Sequence, residues 1–121
     1  MLMIRAEQMD ALRRDKLERF VLHMCDHLRA RYPEQVQAFA EPALYEKVRQ
    51  GLCDAETHRI TDQGDIKRYL EYLVEYGDGY YKTGPARRIL GMEISGTDKM
   101  DLIDDHEFFV NNLGKGDGGL P

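Results

Sequence analysis

Hydrophobic residues recur every three or four positions in the first quarter of the chain. From Leu17 through Val21 and Met24 to Leu28, the steps place the apolar side chains on one side of a helix, at about 100° per residue. The pattern predicts a long first helix from about Ala6 to Arg31. Its apolar set also includes Met9, Leu12, Phe20 and Cys25.

Prolines divide the chain that follows this helix. A proline cannot continue a preceding helix, but it suits the first turn of a new one. Pro33 therefore predicts a short second helix to Ala40, and Pro42 a third helix to about Thr57. Pro85 predicts another short helix through Leu90, after a loop at 77–84. The apolar residues predicted to face inward from the third helix are Leu44, Val48, Leu52 and Ala55.

Polar caps and glycines mark the two remaining helices. Asp62, followed three residues later by Asp65, is typical of an N-cap before a helix that runs to Tyr76, with Gly77 just past its end. The segment Ser95-Gly96-Thr97-Asp98 resembles a capping box before a last helix at about 98–113, with Gly114 ending it. Spacing predicts a shared face in that helix formed by Leu102, His106, Phe109 and Leu113.

Composition agrees with these elements. Hydrophobic residues make up 42% of the 121 residues and charged residues 32%, which favours solvated helices around a modest core. We therefore predict an all-α fold, an irregular helical bundle of about six helices, three of them long. A single domain would cover residues 1–113, and the Gly-rich tail 114–121 would be flexible and disordered.

Charge narrows the class of partner. A net charge of −5 argues against nucleic-acid binding, which needs a basic surface. The first residues lack the apolar core of a signal peptide, and no apolar run reaches the length needed to span a bilayer. We expect a cytoplasmic protein whose partner is another protein, with no membrane contact.

Candidate catalytic and metal-binding groups give weak signals. His23 and His27 have the i,i+4 spacing of paired metal ligands, with His58 or Asp54 as a third ligand, but this spacing is common by chance and a solvated helix flank is favoured. Cys53 beside His58 and Asp54 could suggest a thiol nucleophile. We instead interpret Cys53, like Cys25, as a reduced core thiol. No cofactor, metal or catalytic residue is predicted, and the chain is expected not to be an enzyme.

Two motif-like segments also fail as sites. Lys82-Thr83-Gly84 lacks the preceding glycine of a phosphate loop, since Tyr81 stands there. As the KTG strand of a serine acyl-transferase it would need a lysine three residues after Ser95, where Asp98 stands. The acidic cluster of the last helix lacks the spacing of a calcium loop. That cluster is either ordinary solvated surface or a docking face for a basic partner, and its members are Asp98, Asp101, Asp104, Asp105 and Glu107.

Tyrosines form the least ordinary pattern. Tyr69, Tyr72 and Tyr76 recur along one side of the fourth helix, and Tyr80 and Tyr81 follow in the loop. They widen the apolar stripe to about 200° of the helix, more than one packing face requires. Either the helix is central in the bundle, or part of its tyrosine side is an exposed interface. The predicted partner-binding residues are Tyr69, Tyr72, Tyr76, Tyr80, Tyr81, Asp101, Asp104 and Asp105.

The order of segments resembles a family of small helical proteins encoded beside type VI secretion spike and effector genes in proteobacteria. The matching pieces are the start Ile4-Arg5-Ala6-Glu7-Gln8-Met9, then Pro33-Glu34, then Asp65-Ile66 to Tyr69, and the aromatic turn from Gly77 to Tyr81. The likeness covers about residues 4–90 and excludes the last helix. It departs from the family pattern before Ile60, where Arg59 stands in place of glycine.

This resemblance implies an accessory role around a secreted toxin. An adaptor or co-chaperone would help to load the effector, whereas an immunity protein would bind and neutralise its toxin domain. The adaptor is our first expectation. The acidic last helix keeps the immunity role open, because an immunity protein often sets acidic residues against a basic nuclease cleft.

Overall fold

A computed structural model describes the backbone of residues 6–116 and the side chains of residues 13–112. Within this part of the chain the fold is all-helical, with six helices and no strand. The helices are α1 (Ala6–Arg31), α2 (Pro33–Val36), α3 (Glu41–Thr57), α4 (Gln63–Tyr76), α5 (Gly84–Leu90) and α6 (Gly96–Gly116). The predicted all-α class is confirmed. None of these helices combines the length and apolar character needed to cross a bilayer.

Contacts divide the chain into two compact units, and the division falls between Gln50 and Gly51. The first unit contains α1, α2 and most of α3. Its buried side chains come from the predicted stripe of α1 and from the two helices that follow it: Val21, Met24, Cys25, Leu28, Val36, Leu44 and Val48. Leu17, predicted to belong to that stripe, is instead exposed.

Proline placement predicts the helix starts of the first unit well. Pro33 is the first residue of α2, and Pro42 is the second residue of α3. The predicted length of α2 is wrong, because the helix ends at Val36 rather than Ala40.

The second unit contains the end of α3 together with α4, α5 and α6. Gly51 allows α3 to lie close to α4, since a Cβ atom added there would be 2.5 Å from Leu70 Cδ2. The buried hydrophobic side chains come from all four helices and from the turns between them: Leu52, Ala55, Ile60, Ile66, Tyr69, Leu70, Leu73, Val74, Tyr81, Ala86, Ile89, Leu90, Met100 and Ile103.

The caps predicted in the second unit are present. Asp62 Oδ1 accepts hydrogen bonds from the backbone N–H groups of Gly64 at 2.9 Å and Asp65 at 3.3 Å. Gly77 follows α4 with φ of 92°, a conformation that favours glycine. Ser95 Oγ accepts from the backbone N–H of Asp98 at 3.0 Å and caps α6.

The predicted end of α6 is wrong. The helix continues to Gly116, so Gly114 does not end it, and the rest of the predicted tail lies outside the described residues. The inward face consists of Met100 and Ile103, both fully buried, whereas Leu102 and Phe109 are exposed. Both sets have helical spacing, and packing against the rest of the second unit selects the first.

Candidate functional site

Arg68 of α4 joins three carboxylates of the second unit. Its guanidinium donates to Asp65 of its own helix and, from Nη1, to Asp101 at 2.9 Å and Asp104 at 2.6 Å on α6. Asp65 is buried and also accepts a hydrogen bond from Thr97 Oγ1. Charge-assisted hydrogen bonds of this kind are the strong ones in proteins, so Arg68 fastens α6 to α4.

The ionisation of this cluster follows from its contacts. Burial opposes charge on Asp65, but hydrogen bonds from Thr97 and Arg68 outweigh burial and lower the pKa of the carboxyl. Burial likewise opposes charge on the Arg68 guanidinium, and its bonds to the three carboxylates outweigh it and raise the pKa. Asp65 and Arg68 are therefore both charged at neutral pH.

The tyrosines connect α4 and the 77–83 turn to α6. Tyr72 Oη donates to Asp104 Oδ1, and Tyr80 Oη donates to Glu107 Oε2 at 2.6 Å. The rings of Tyr72, Tyr76 and Tyr80 stack on one another with centroids 5.0–6.1 Å apart. Burial, and then hydrogen bonding to Asp104 and Glu107 respectively, raises the pKa of Tyr72 and Tyr80, so both hydroxyls stay protonated donors.

The prediction that Tyr69 and Tyr81 bind a partner is wrong. Their rings stack at 4.0 Å, Tyr81 Oη donates to the backbone carbonyl of Tyr69 at 2.9 Å, and both side chains are buried. Neither ring can reach a partner while the second unit is folded. Tyr72 and Tyr80 are half-buried, which leaves Tyr76 as the exposed member of the five, at 43% exposure.

The acidic cluster of α6 likewise contains side chains that are paired within the chain and others that are exposed. Asp101 and Asp104 form ion pairs with Arg68, so much of their charge is already neutralised within the chain. Asp98 and Asp105 are exposed. The free acidic surface is therefore smaller than the sequence suggests, and it borders Asp101, which lies three residues from Asp98 and four from Asp105 along the helix.

An apolar surface that was not among the predicted partner-binding residues lies on α6. Four large hydrophobic side chains of this helix are exposed by 39% to 65%: Leu102, Phe108, Phe109 and Val110. We call the side that carries Leu102 and Phe109 the outer face of α6. Leu102 and Phe109 are seven residues apart, about two helical turns, so they lie on one side of the helix. At about 100° per residue, that side is well away from buried Ile103 and Met100.

The sequence does carry a signal for this surface. Phe108, Phe109 and Val110 are consecutive, and three consecutive helical residues cannot all face one core. The ring centroids of Phe108 and Phe109 are 6.4 Å apart with nearly perpendicular planes. Exposed aromatic and aliphatic side chains grouped on one helix are typical of a protein-binding surface.

The candidate chemical groups of the sequence analysis do not assemble into a site. His23 is exposed and His27 half-buried on α1. Within the described residues, no group of three or more His, Cys, Asp or Glu side chains is placed to hold a metal ion. Cys25 is buried as predicted, and burial raises the pKa of its thiol. The prediction that Cys53 is a core thiol is wrong, because its side chain is exposed.

Comparison with known proteins gives no match to a family model, to a curated protein or to a solved structure.

Proposed function

We propose that this chain is a non-enzymatic accessory protein that binds another protein, and that the partner contacts the outer face of α6. The observation that carries the proposal is the second apolar side of this helix. One side, with Met100 and Ile103, completes the core, and the other leaves Leu102 and Phe109 open to solvent. Aromatic side chains provide much of the binding free energy in protein interfaces, so Phe109 is suited to this task.

Charge indicates the chemistry of the partner surface. Exposed Asp98 and Asp105 lie on α6 within about 60° of Leu102 around the helix axis. An apolar surface beside carboxylates fits a partner that presents hydrophobic side chains flanked by Lys or Arg. Tyr76 is the exposed tyrosine, but its contacts with Glu107 and Asn111 place it on another side of α6 from Leu102.

The resemblance to proteins encoded beside type VI secretion genes supports an adaptor or co-chaperone for a secreted effector. The alternative is an immunity protein that neutralises a toxin domain. An immunity role would need acidic side chains that are free to contact the toxin. Asp101 and Asp104 already form ion pairs with Arg68, so α6 supports this alternative less than the sequence suggests. The adaptor therefore remains our first proposal.

Binding to the product of a neighbouring effector gene tests both roles. We would measure by calorimetry the affinity of the full chain for the whole effector, for its toxin domain, and for the effector without that domain. An adaptor binds the effector outside the toxin domain, whereas an immunity protein binds the toxin domain itself. If the chain binds none of the three, the proposed function is wrong.

Phe109→Ser tests the outer face. The side chain is 58% exposed, so its loss should leave the helical signal and Tm nearly unchanged while weakening effector binding at least about tenfold. Leu22→Ser is the matched control, since Leu22 is 51% exposed on α1 of the other unit. Equal affinity of wild type and Phe109→Ser would show that the partner binds elsewhere.

A further inference from the structure

A cavity of about 840 Å³ lies in the second unit where α3 ends and α6 begins. Its walls come from the turn after α3, the first turn of α4, the connection between α5 and α6, and the first turn of α6. Clefts of this size commonly hold small organic ligands. No residue of the outer face of α6 lines it, so it is separate from the proposed protein-binding surface.

Two close backbone contacts build the cavity wall. A Cβ atom added at Gly96 would be 2.5 Å from the carbonyl oxygen of Arg59 and 2.8 Å from Ile60 Cα. Glycine at this position therefore lets the first turn of α6 lie directly against the turn that ends α3. This approach sets the α6 residue Lys99 beside His58, whose backbone carbonyl accepts a hydrogen bond from Lys99 Nζ at 2.8 Å.

Lys99 is the unusual side chain of this wall. It is 4% exposed, and among the described residues no carboxylate lies within salt-bridge distance of its ammonium. An ammonium group carries three hydrogen-bond donors, and the His58 carbonyl accounts for one of them. Burying a charge without an opposite charge is unfavourable, so an anion that enters the cavity would supply what the chain does not.

Arg59 is the second cation of the cavity, and its backbone has an unusual conformation. Arg59 has φ of 64°, the left-handed conformation that favours glycine. The backbone N–H groups of Arg59 and Ile60 donate to Glu56 and Ala55, the pattern of a helix end that usually has glycine at this position. An arginine kept in this conformation, with an exposed side chain on a cavity wall, is placed to contact a ligand.

The acidic groups of the cavity are mostly engaged within the chain. Asp62 caps α4 through two backbone N–H groups, and Asp65 binds Arg68 and Thr97. Glu93 is exposed and is the remaining carboxylate. Burial, and then the nearby charge of Lys99, lowers the pKa of His58, which keeps its imidazole neutral at neutral pH.

We propose that this cavity binds a small organic carboxylate, whose charged end lies between Lys99 and Arg59. Lys99 and Arg59 share the cavity with Asp62 and Glu93, two carboxylates for which the described residues supply no ion pair, so a ligand with a single negative charge suits the cavity better than a phosphate with a double charge. Leu90, Met92 and Ile94 contribute apolar groups to the same cavity, so the rest of the ligand is hydrophobic. The hydrogen-bond donors are the planar guanidinium of Arg59 and the ammonium of Lys99, groups that commonly bind carboxylates.

Hexanoate is a suitable probe, with hexanol, hexylamine and inorganic phosphate as comparison ligands. We expect saturable binding of hexanoate to the full chain by calorimetry, with a matching rise in Tm, and at least tenfold weaker binding of the other three. No saturable hexanoate binding, or equally tight binding of hexanol, would overturn the proposal. Tighter binding of phosphate would overturn the assignment of a carboxylate.

Variants test the two cations separately. Arg59→Gly keeps the backbone conformation while removing the guanidinium, and it should weaken hexanoate binding about tenfold or more. Lys99→Met should abolish binding, and the Arg59 variant keeps the test valid if Lys99→Met fails to fold. Lys67→Met removes an exposed lysine of α4 that does not line the cavity and is the control. If Arg59→Gly binds hexanoate as tightly as Lys67→Met does, Arg59 is not part of a ligand site.

Discussion

Replacing Arg59 with glycine should stabilise this protein. A non-glycine residue in the left-handed conformation costs about 1–2 kcal/mol, because its Cβ atom comes too close to the following carbonyl. Arg59 has that conformation, with φ of 64°, at the turn after α3. Glycine removes this cost, but it loses more backbone entropy on folding, which lowers the free energy of unfolding by about 0.5–1 kcal/mol. We therefore expect Arg59→Gly to raise the free energy of unfolding by about 0.5–1 kcal/mol.

Urea denaturation followed by circular dichroism measures this difference, and a rise in Tm of about 2–4 °C should accompany it. Arg49→Gly is the matched control, because Arg49 is an exposed arginine within α3. There glycine should lower the free energy of unfolding by about 1 kcal/mol. If both variants are destabilised alike, the turn after α3 does not hold Arg59 in the left-handed conformation, and the account of this turn is refuted.

Two further predictions concern the contacts that build the second unit. Gly96→Ala should lower the free energy of unfolding by about 1–3 kcal/mol, because the new methyl group meets backbone atoms of Arg59 that cannot move aside. Gly91→Ala is the control and should change the free energy of unfolding little, since the nearest atom there is 3.7 Å away. Equal urea midpoints for the two variants would contradict the close approach at Gly96. Arg68→Met should cost about 2 kcal/mol at pH 7, since it leaves buried Asp65 without its cation and the exposed part of the cluster contributes less. The lowered pKa of Asp65 means that its contribution is present above the ordinary carboxyl pKa, about 3.9, and is lost as pH falls through the lower folded value. The difference between wild type and Arg68→Met should therefore shrink between pH 5 and pH 2, and a difference that grows over this range would refute the role given to Arg68.

The helix boundaries could largely be predicted because the signals that set them are local. Pro33, Asp62 and Gly77 each act within one turn of their own position, and the structure contains the start, cap and end that they predict. The end of α6 could not be predicted from Gly114 alone, because a single glycine weakens a helix by about 1 kcal/mol without necessarily ending it.

The candidate site could be predicted much less well, because long-range pairing decides it. Arg68 meets Asp101 and Asp104 across more than thirty residues of sequence, and no local spacing indicates these pairs. The tyrosine pattern predicts a binding surface, yet Tyr69 and Tyr81 are buried in the core. On α6, helical periodicity fits the Leu102 side as well as the Met100 side, and only packing reveals which of them remains exposed.

The most direct test of the proposed function is site-specific photocrosslinking to the effector. A photoreactive phenylalanine analogue would replace Phe109 on the outer face of α6 and, in a separate variant, Leu22 on α1. The account predicts a crosslinked complex with the effector from position 109 and none from position 22. A complex from position 22 alone, or from neither position when calorimetry shows that the effector is bound, would contradict the claim that α6 is the partner-binding helix.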